Sequence, residues 1–187
     1  MRALLGVLLF LAQPFWESKP PQQWTDAEVD AVLRDSPWAQ VVGPSPEVLV
    51  YLATAAPVEE AEAELRVRGK HPAAEPDPDY LNYLNEHGEE NLVLAIPYDP
   101  QSGFGTEQDR RRMEAECEMV IGRKSYKLVG HFPPANTDPV LRLVFPRVAK
   151  PTDKSVTFRL YLPGIPFPER EIEFRVKDLM ARGRLEM

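Results

Sequence analysis

The residue types that most often carry chemistry are sparse in this chain. It has three histidines, His71, His87 and His131, and one cysteine, Cys117. None of them has the His-x-x-x-His or Cys-x-x-Cys spacing of a zinc site. The Gly-Phe-Gly at residues 103–105 lacks the strand and the third glycine of a nucleotide-binding loop, so we interpret it as a turn. We therefore predict no catalytic residue, no metal site and no cofactor.

Carboxylates are more abundant, and they provide the main alternative function. Glu59 with Glu60, and Glu89 with Glu90, are acidic pairs. A glycosidase needs two carboxyl groups several ångströms apart in one cleft, and sequence spacing does not show such a distance. We therefore keep, as the alternative, an extracytoplasmic hydrolase that uses loop carboxylates. Two carboxyl groups with a raised pKa in one cleft would favour it.

The aromatic residues near the N-terminus are the more interesting group. They are Phe15, Trp16, Trp24 and Trp38. Large aromatic side chains often anchor a partner, and the same residues also suit packing of the N-terminal segment onto a sheet. The candidate ligand-binding residues are Trp24, Trp38 and His131, because His131 lies in a predicted turn region, residues 130–138, where aromatic and polar residues meet at strand ends.

Local signals place the helices in the first part of the chain. The spacing of Thr25 and Glu28 is that of a capping box and predicts a helix over residues 26–34. Composition and stop residues predict further helical segments over residues 58–68, 78–87 and 106–114. Continuous apolar runs over residues 47–54 and 91–98 are typical of strands buried on both faces.

From residue 116 onward the apolar period becomes two, which predicts half-buried strands. The predicted strands lie around residues 116–121, 126–130, 141–145, 156–162 and 172–176. We expect them to form one antiparallel sheet, with Cys117 on its apolar side as an inert buried thiol and Arg142 on its wet side. The predicted fold class is α+β, a mainly antiparallel β-sheet or sandwich with two or three short helices in the N-terminal half.

The first residues have the features of an export signal. Met1 and Arg2 precede an apolar run that ends at Ala12. This run is shorter than the roughly 20 apolar residues that span a bilayer. We predict a signal peptide over residues 1–13, a linker over 14–24 and a single domain over 25–187. The expected location is periplasmic or secreted, with membrane contact only through the export signal.

Charge is unevenly distributed along the chain. Residues 1–109 carry 6 Lys and Arg against 19 Asp and Glu, whereas residues 110–187 carry 16 against 10. A basic region can bind nucleic acid. Here, however, the basic residues are scattered singly through the predicted strands, so no nucleic-acid partner is predicted.

Several short motifs resemble those of a family of small exported bacterial proteins of unknown function. They are Trp16, Pro20, Pro21, Trp24, Thr25 and Asp26, Ser-Pro-Trp-Ala at 36–39, Phe-Pro-Arg at 145–147, residues 156–158 and 174–177, Met180, and Gly-Arg-Leu-Glu at 183–186. The resemblance implies export and a single domain, and it supplies no catalytic residue. We favour a non-catalytic binding or structural module whose partner is a protein or a small-molecule ligand.

Overall fold

The computed structural model describes residues 13–43, 45–69, 76–98 and 104–187. Residues 1–12 of the predicted signal peptide lie outside them, as does His71. The helices are α1 (Phe15–Ser18), α2 (Asp26–Arg34), α3 (Ala56–Val67), α4 (Pro78–His87) and α5 (Glu107–Glu116). The main strands are β1 (Ala39–Val42), β2 (Val48–Leu52), β3 (Asn91–Pro97), β4 (Glu118–Ile121), β5 (Lys124–Lys127), β6 (Gly130–Phe132), β7 (Val140–Pro146), β8 (Ser155–Tyr161) and β9 (Glu169–Arg175). A short pair, β10 (Met180–Ala181) and β11 (Arg184–Leu185), ends the chain.

Helices α2 to α5 form where the local signals predict them. The Glu28 N–H donates to Thr25 Oγ1 at 3.2 Å, and the Thr25 N–H donates to Glu28 Oε2 at 2.8 Å, which completes the capping box of α2. Thr106 and Asp109 form the same pair of bonds at the start of α5. These bonds satisfy N–H groups that a helix leaves free at its first turn, so short-range sequence determines the helix starts.

The strands form two antiparallel sheets and a separate short pair. The first sheet has the order β1-β2-β3-β7-β6, and the second has the order β5-β4-β8-β9. The fold is therefore α+β and mainly antiparallel, as the sequence predicts. The prediction of one sheet after residue 116 was wrong, because β6 and β7 join the N-terminal strands. The predicted strand at 126–130 is divided between β5 and β6, which lie in different sheets.

The core lies between the two sheets. Phe145 of β7 contacts Phe158 of β8 with ring centroids 5.2 Å apart, and Phe158 meets Phe174 of β9 edge to face at 5.9 Å. All three side chains are fully buried or nearly so. Cross-strand aromatic contacts of this kind add to the free energy gained from burial. Phe158 and Phe174 thus face one core from paired strands, as the alternation predicts.

Helices cover the other face of the first sheet. Tyr51 of β2 donates its hydroxyl hydrogen to Glu62 Oε1 of α3 at 3.1 Å, and the rings of Phe132 and Tyr80 of α4 lie 5.3 Å apart. Strand β7 is consequently buried on both faces. The expectation of a wet side for β7 was wrong, since Arg142 is only 4% exposed.

A carboxylate and an aromatic ring compensate for the buried charge of Arg142. Its guanidinium donates to both carboxylate oxygens of Asp138, at 2.6 and 3.2 Å. The guanidinium carbon also lies 4.2 Å from the centroid of the Tyr80 ring. A buried ion is tolerated when it is paired and fully hydrogen-bonded.

Among the described helices, none is both long and apolar enough to cross a membrane.

The alternation along β9 can be tested by two adjacent substitutions. Phe174→Ala should lower the free energy of unfolding by about 3–5 kcal/mol, because it empties a large buried site. Arg175→Ala should cost about 0.5 kcal/mol or less, since Arg175 points to solvent and its ion pair with Asp178 is exposed. Denaturant melts measure both values. Equal losses for the two variants would show that the assignment of faces is wrong.

Candidate functional site

Two of the predicted binding residues, Trp24 and Trp38, lie in the core. Trp24 is 2% exposed and Trp38 is fully buried. The Trp24 indole N–H donates to the Lys19 carbonyl oxygen at 3.2 Å, and the Trp38 indole N–H donates to the Glu186 carbonyl oxygen at 3.0 Å. The two indoles thus bind backbone near both ends of the described chain, and their polar atoms are used by the protein itself.

The segment before α2 packs onto the body of the domain. Phe15 meets Trp24 at a centroid distance of 5.4 Å, and Trp16 meets Trp38 at 5.6 Å. The Arg182 backbone N–H donates to the carboxylate of Glu17 at 2.9 Å. Residues 14–24, for which we expect a linker, therefore contain α1 and a short 3-10 turn that contact the folded domain.

His131 lies elsewhere, in an open groove between α5 and the chain that follows β6. The groove measures about 440 Å³, and Phe104 and Pro134 line it together with His131. The His131 side chain is 18% exposed, and its Nδ1 lies 3.6 Å from Glu114 Oε1. The Phe104 and His131 rings are 6.5 Å apart. The structure thus separates His131 from Trp24 and Trp38, which it places in the core.

Helix α5 supplies the charged wall of this groove. Glu107, Arg111 and Glu114 are spaced by four and three residues, so they share one helical face. Arg110 Nη2 donates to Glu107 Oε2 at 2.7 Å, and Arg111 Nε donates to Glu107 Oε1 at 3.1 Å. These two bonds lower the pKa of Glu107, with the bond from Arg110 as the larger cause. One carboxylate is therefore shared by two guanidinium groups.

Of the residues that line this groove, only His131 was predicted from the sequence as a binding residue. The capping box at Thr106 was the available signal, because it sets the helical register that aligns Glu107, Arg111 and Glu114. It could not show that this helix lies beside β6, which is a contact between distant parts of the chain. Phe104 was interpreted only as a turn residue.

Cys117 is unsuited to nucleophilic chemistry. The prediction that Cys117 lies within a strand over residues 116–121 was wrong, because Cys117 is the residue after α5 and strand β4 begins at Glu118. Cys117 is fully buried, and its Sγ accepts a hydrogen bond from the Tyr161 N–H at 3.3 Å. Burial is the main cause that raises the pKa of its thiol to about 11. The thiol therefore stays neutral near pH 7, whereas a nucleophile would need the thiolate.

The carboxyl groups do not reproduce the arrangement expected of the hydrolase alternative. Desolvation of its carboxyl group by the surrounding protein raises the pKa of Glu59, although the residue as a whole remains exposed. The negative charge of nearby Glu62 adds to this shift. Hydrogen bonds lower the pKa of Glu28, Asp109 and Glu118 instead. In the described parts of the chain, Glu59 is thus the single carboxyl with a clearly raised pKa. No cluster of three or more His, Cys, Asp or Glu side chains there could hold a metal ion.

Comparison of the chain with models of protein families, with curated proteins and with solved structures finds no match. The resemblance to small exported bacterial proteins therefore stays a prediction. A functional conclusion has to be drawn from the geometry of the chain itself.

The burial of Cys117 predicts that its thiol reacts slowly in the folded protein. Because its pKa is raised to about 11, a disulfide-exchange reagent at pH 8 should modify native protein slowly and unfolded protein fast. Absorbance of the released thiol measures both rates, and Cys117→Ser supplies the blank. Equal rates in native and denaturing buffer would contradict the buried position.

Proposed function

We propose that this protein is an exported, non-catalytic binding module that contacts its ligand in the groove around His131. The observation that carries this proposal is the composition of the groove. A half-buried imidazole, the Phe104 ring and charged groups of both signs line one open space of about 440 Å³. Grooves in which a few polar groups meet an apolar surface are the usual binding sites of proteins.

The shape and charge of the groove favour a peptide segment of a partner protein over an enclosed small molecule. It is open along α5, and prolines 133 and 134 form its opposite wall. Arg111 is 76% exposed at its side chain and shares the Glu107 carboxylate with Arg110. An acidic group of a peptide can bind these guanidinium groups, while an aromatic or aliphatic side chain contacts Phe104.

The contacts of His131 support binding rather than turnover. Within the described residues, its ring lies beside the carboxylate of the exposed Glu114, and no hydrogen bond joins the ring to a hydroxyl or a thiol. Nucleophilic catalysis needs a nucleophile within hydrogen-bond reach of such a base. The hydrolase alternative keeps Glu59 as its support, and a second carboxyl with a raised pKa would be needed beside it.

Selection from a random peptide library on the purified domain tests the proposed groove. We expect enriched peptides that combine an acidic residue with an aromatic or aliphatic one. Arg111→Ala should weaken their binding by roughly 5- to 10-fold, because it removes a charge-assisted hydrogen bond. Arg123→Ala, an exposed arginine in the turn between β4 and β5, is the matched control and should change nothing.

The same protein preparation separates binding from catalysis. It should show no turnover of esterase, peptidase, glycosidase or phosphatase substrates, with or without divalent metals. A turnover that disappears in His131→Ala or in Glu59→Gln would overturn the binding proposal and favour the hydrolase. Library peptides whose affinity is the same for the Arg111→Ala variant would place the binding surface elsewhere.

Export is the second part of this proposal, and the sequence of residues 1–12 supports it. We expect the protein made by its native host to lack this apolar segment. Intact-mass measurement after cell fractionation decides the question. Full-length protein in the cytoplasmic fraction would contradict export.

A further inference from the structure

A second open space, a cleft of about 210 Å³, lies at one end of the sandwich. Three separate parts of the chain meet there: the residues at the start of β2, the end of β3 and the turn between β8 and β9. Among the described residues, none lines both this cleft and the groove around His131. The cleft is therefore a separate candidate site.

The inner part of the cleft is apolar. Val48 and Tyr98 are buried there, and Leu49 and Ile165 are half-buried. A cavity of roughly 150 Å³ can hold a benzene ring, so the cleft has room for one ring or for a branched alkyl group. Such a group would be removed from water together with the apolar side chains that it covers.

The exposed part of the lining is mostly proline. Pro46, Pro97 and Pro166 come from the three different parts of the chain. Because the proline ring fixes the backbone φ, these positions have little conformational freedom to lose when a ligand binds. The mouth of the cleft is thus largely preformed.

Glu47 is the one acidic or basic residue in the lining. It is exposed, and within the described residues no cation forms an ion pair with it and no N–H or O–H group donates to its carboxylate. A free carboxylate next to apolar walls is complementary to a ligand that joins a positive charge to an apolar body.

Arg170 limits where such a positive charge can lie. It is 8% exposed, and it donates to the carbonyl oxygens of Pro166 at 3.3 Å and Glu169 at 2.9 Å. Its guanidinium is therefore close to one wall of the cleft, although Arg170 does not line it. Since like charges repel, a cation is favoured at the exposed Glu47, and the apolar body of the ligand is favoured in the inner part.

Exposed apolar surface continues on two sides of the cleft. Val41 is 52% exposed and lies opposite Leu49 in the pairing of β1 with β2. Phe167 follows Pro166 in the chain and is 76% exposed. Exposed apolar side chains that adjoin a cleft are typical of binding surfaces.

We propose that this cleft binds a compact apolar cation, in which an ammonium or amidinium group is attached to one ring or one branched alkyl group. The apolar body packs against Leu49 and Ile165. The cationic group donates hydrogen bonds to the Glu47 carboxylate at the mouth. This site does not depend on the function proposed for the His131 groove.

Benzamidine, its neutral analogue benzamide and the anion benzoate test the proposal by NMR titration of the full chain. Benzamidine should shift the amide signals of Leu49 and Ile165 in a saturable way. Benzamide should bind about fivefold more weakly, because it lacks the charge, and benzoate should bind more weakly still, because Glu47 repels it. Added salt should weaken the binding of benzamidine and leave that of benzamide unchanged.

Substitution of Glu47 separates the charge from the apolar contact. Glu47→Gln should weaken benzamidine binding about fivefold, to the level of benzamide, and should leave the affinity for benzamide unchanged. Glu89→Gln removes an exposed carboxylate near the opposite end of β3 and is the matched control, which should bind benzamidine normally.

A second variant tests the apolar part of the cleft. Ile165→Ala, in the turn between β8 and β9, should weaken benzamidine and benzamide alike, and thermal melts of the ligand-free variants show that each one folds. Equal affinity for benzamidine and benzamide, unchanged benzamidine affinity in Glu47→Gln, or no saturable shifts at Leu49 and Ile165 would overturn the proposal.

Two sources of the cation are distinguished by a further pair of probes. A short peptide that begins with phenylalanine joins an ammonium group to an aromatic ring, and its N-acetylated form lacks the charge. If the free peptide binds more tightly than both its acetylated form and benzamidine, the cation comes from the N-terminus of a protein. If benzamidine binds more tightly than the peptide, the cation is a free organic amine or amidine.

Discussion

Arg142 carries a charge into the interior of the molecule, and the layers around it depend on how that charge is compensated. Asp138 accepts two hydrogen bonds from its guanidinium, and the Tyr80 ring covers it. Asp138 Oδ2 also accepts from the Asp77 N–H at 3.1 Å, at the residue that caps α4. Since an unpaired buried ion is strongly destabilising, this network fixes the position of α4 on strand β7.

With helices on one face of the first sheet and the second sheet on the other, little apolar surface of the first sheet remains open, and open spaces lie near the ends of its strands. At one end of β2, the Leu52 N–H donates to the Trp38 carbonyl oxygen at 2.9 Å. The Trp38 ring there contacts Trp16 near the start of the described chain, and its indole N–H donates to Glu186 near the end. A cleft lined by Pro46, Glu47 and Tyr98 lies at the other end. Phe104 contacts Tyr98 at 5.6 Å and His131 at 6.5 Å, so the cleft and the groove are neighbours.

The outer face of the second sheet shows how the many charged residues are used. Arg159 donates to Glu171 and Glu118 across three strands, each at 3.2 Å. The bond from Ser125 is the main cause that lowers the pKa of Glu118, and the bonds from Arg159 and Lys127 add to it. These ions support strand pairing at a wet surface, where each exposed pair contributes little stability. Among the basic residues of the second half, Arg142, Arg147 and Arg159 thus form contacts within the fold.

The sequence by itself determined the features that depend on neighbouring residues. The capping boxes of α2 and α5 involve residues three positions apart, and the face of each residue in β8 and β9 follows from a period of two. The candidate His131 was also read from the sequence, as a polar residue at a strand end. Tertiary structure alone decided that β6 and β7 pair with the N-terminal strands, that Arg142 is enclosed by α4, and that Trp24 and Trp38 are buried. It also placed Phe104 between Tyr98 and His131. These features are contacts between residues far apart in sequence. Local propensity does not specify which distant strand or helix packs against a given face.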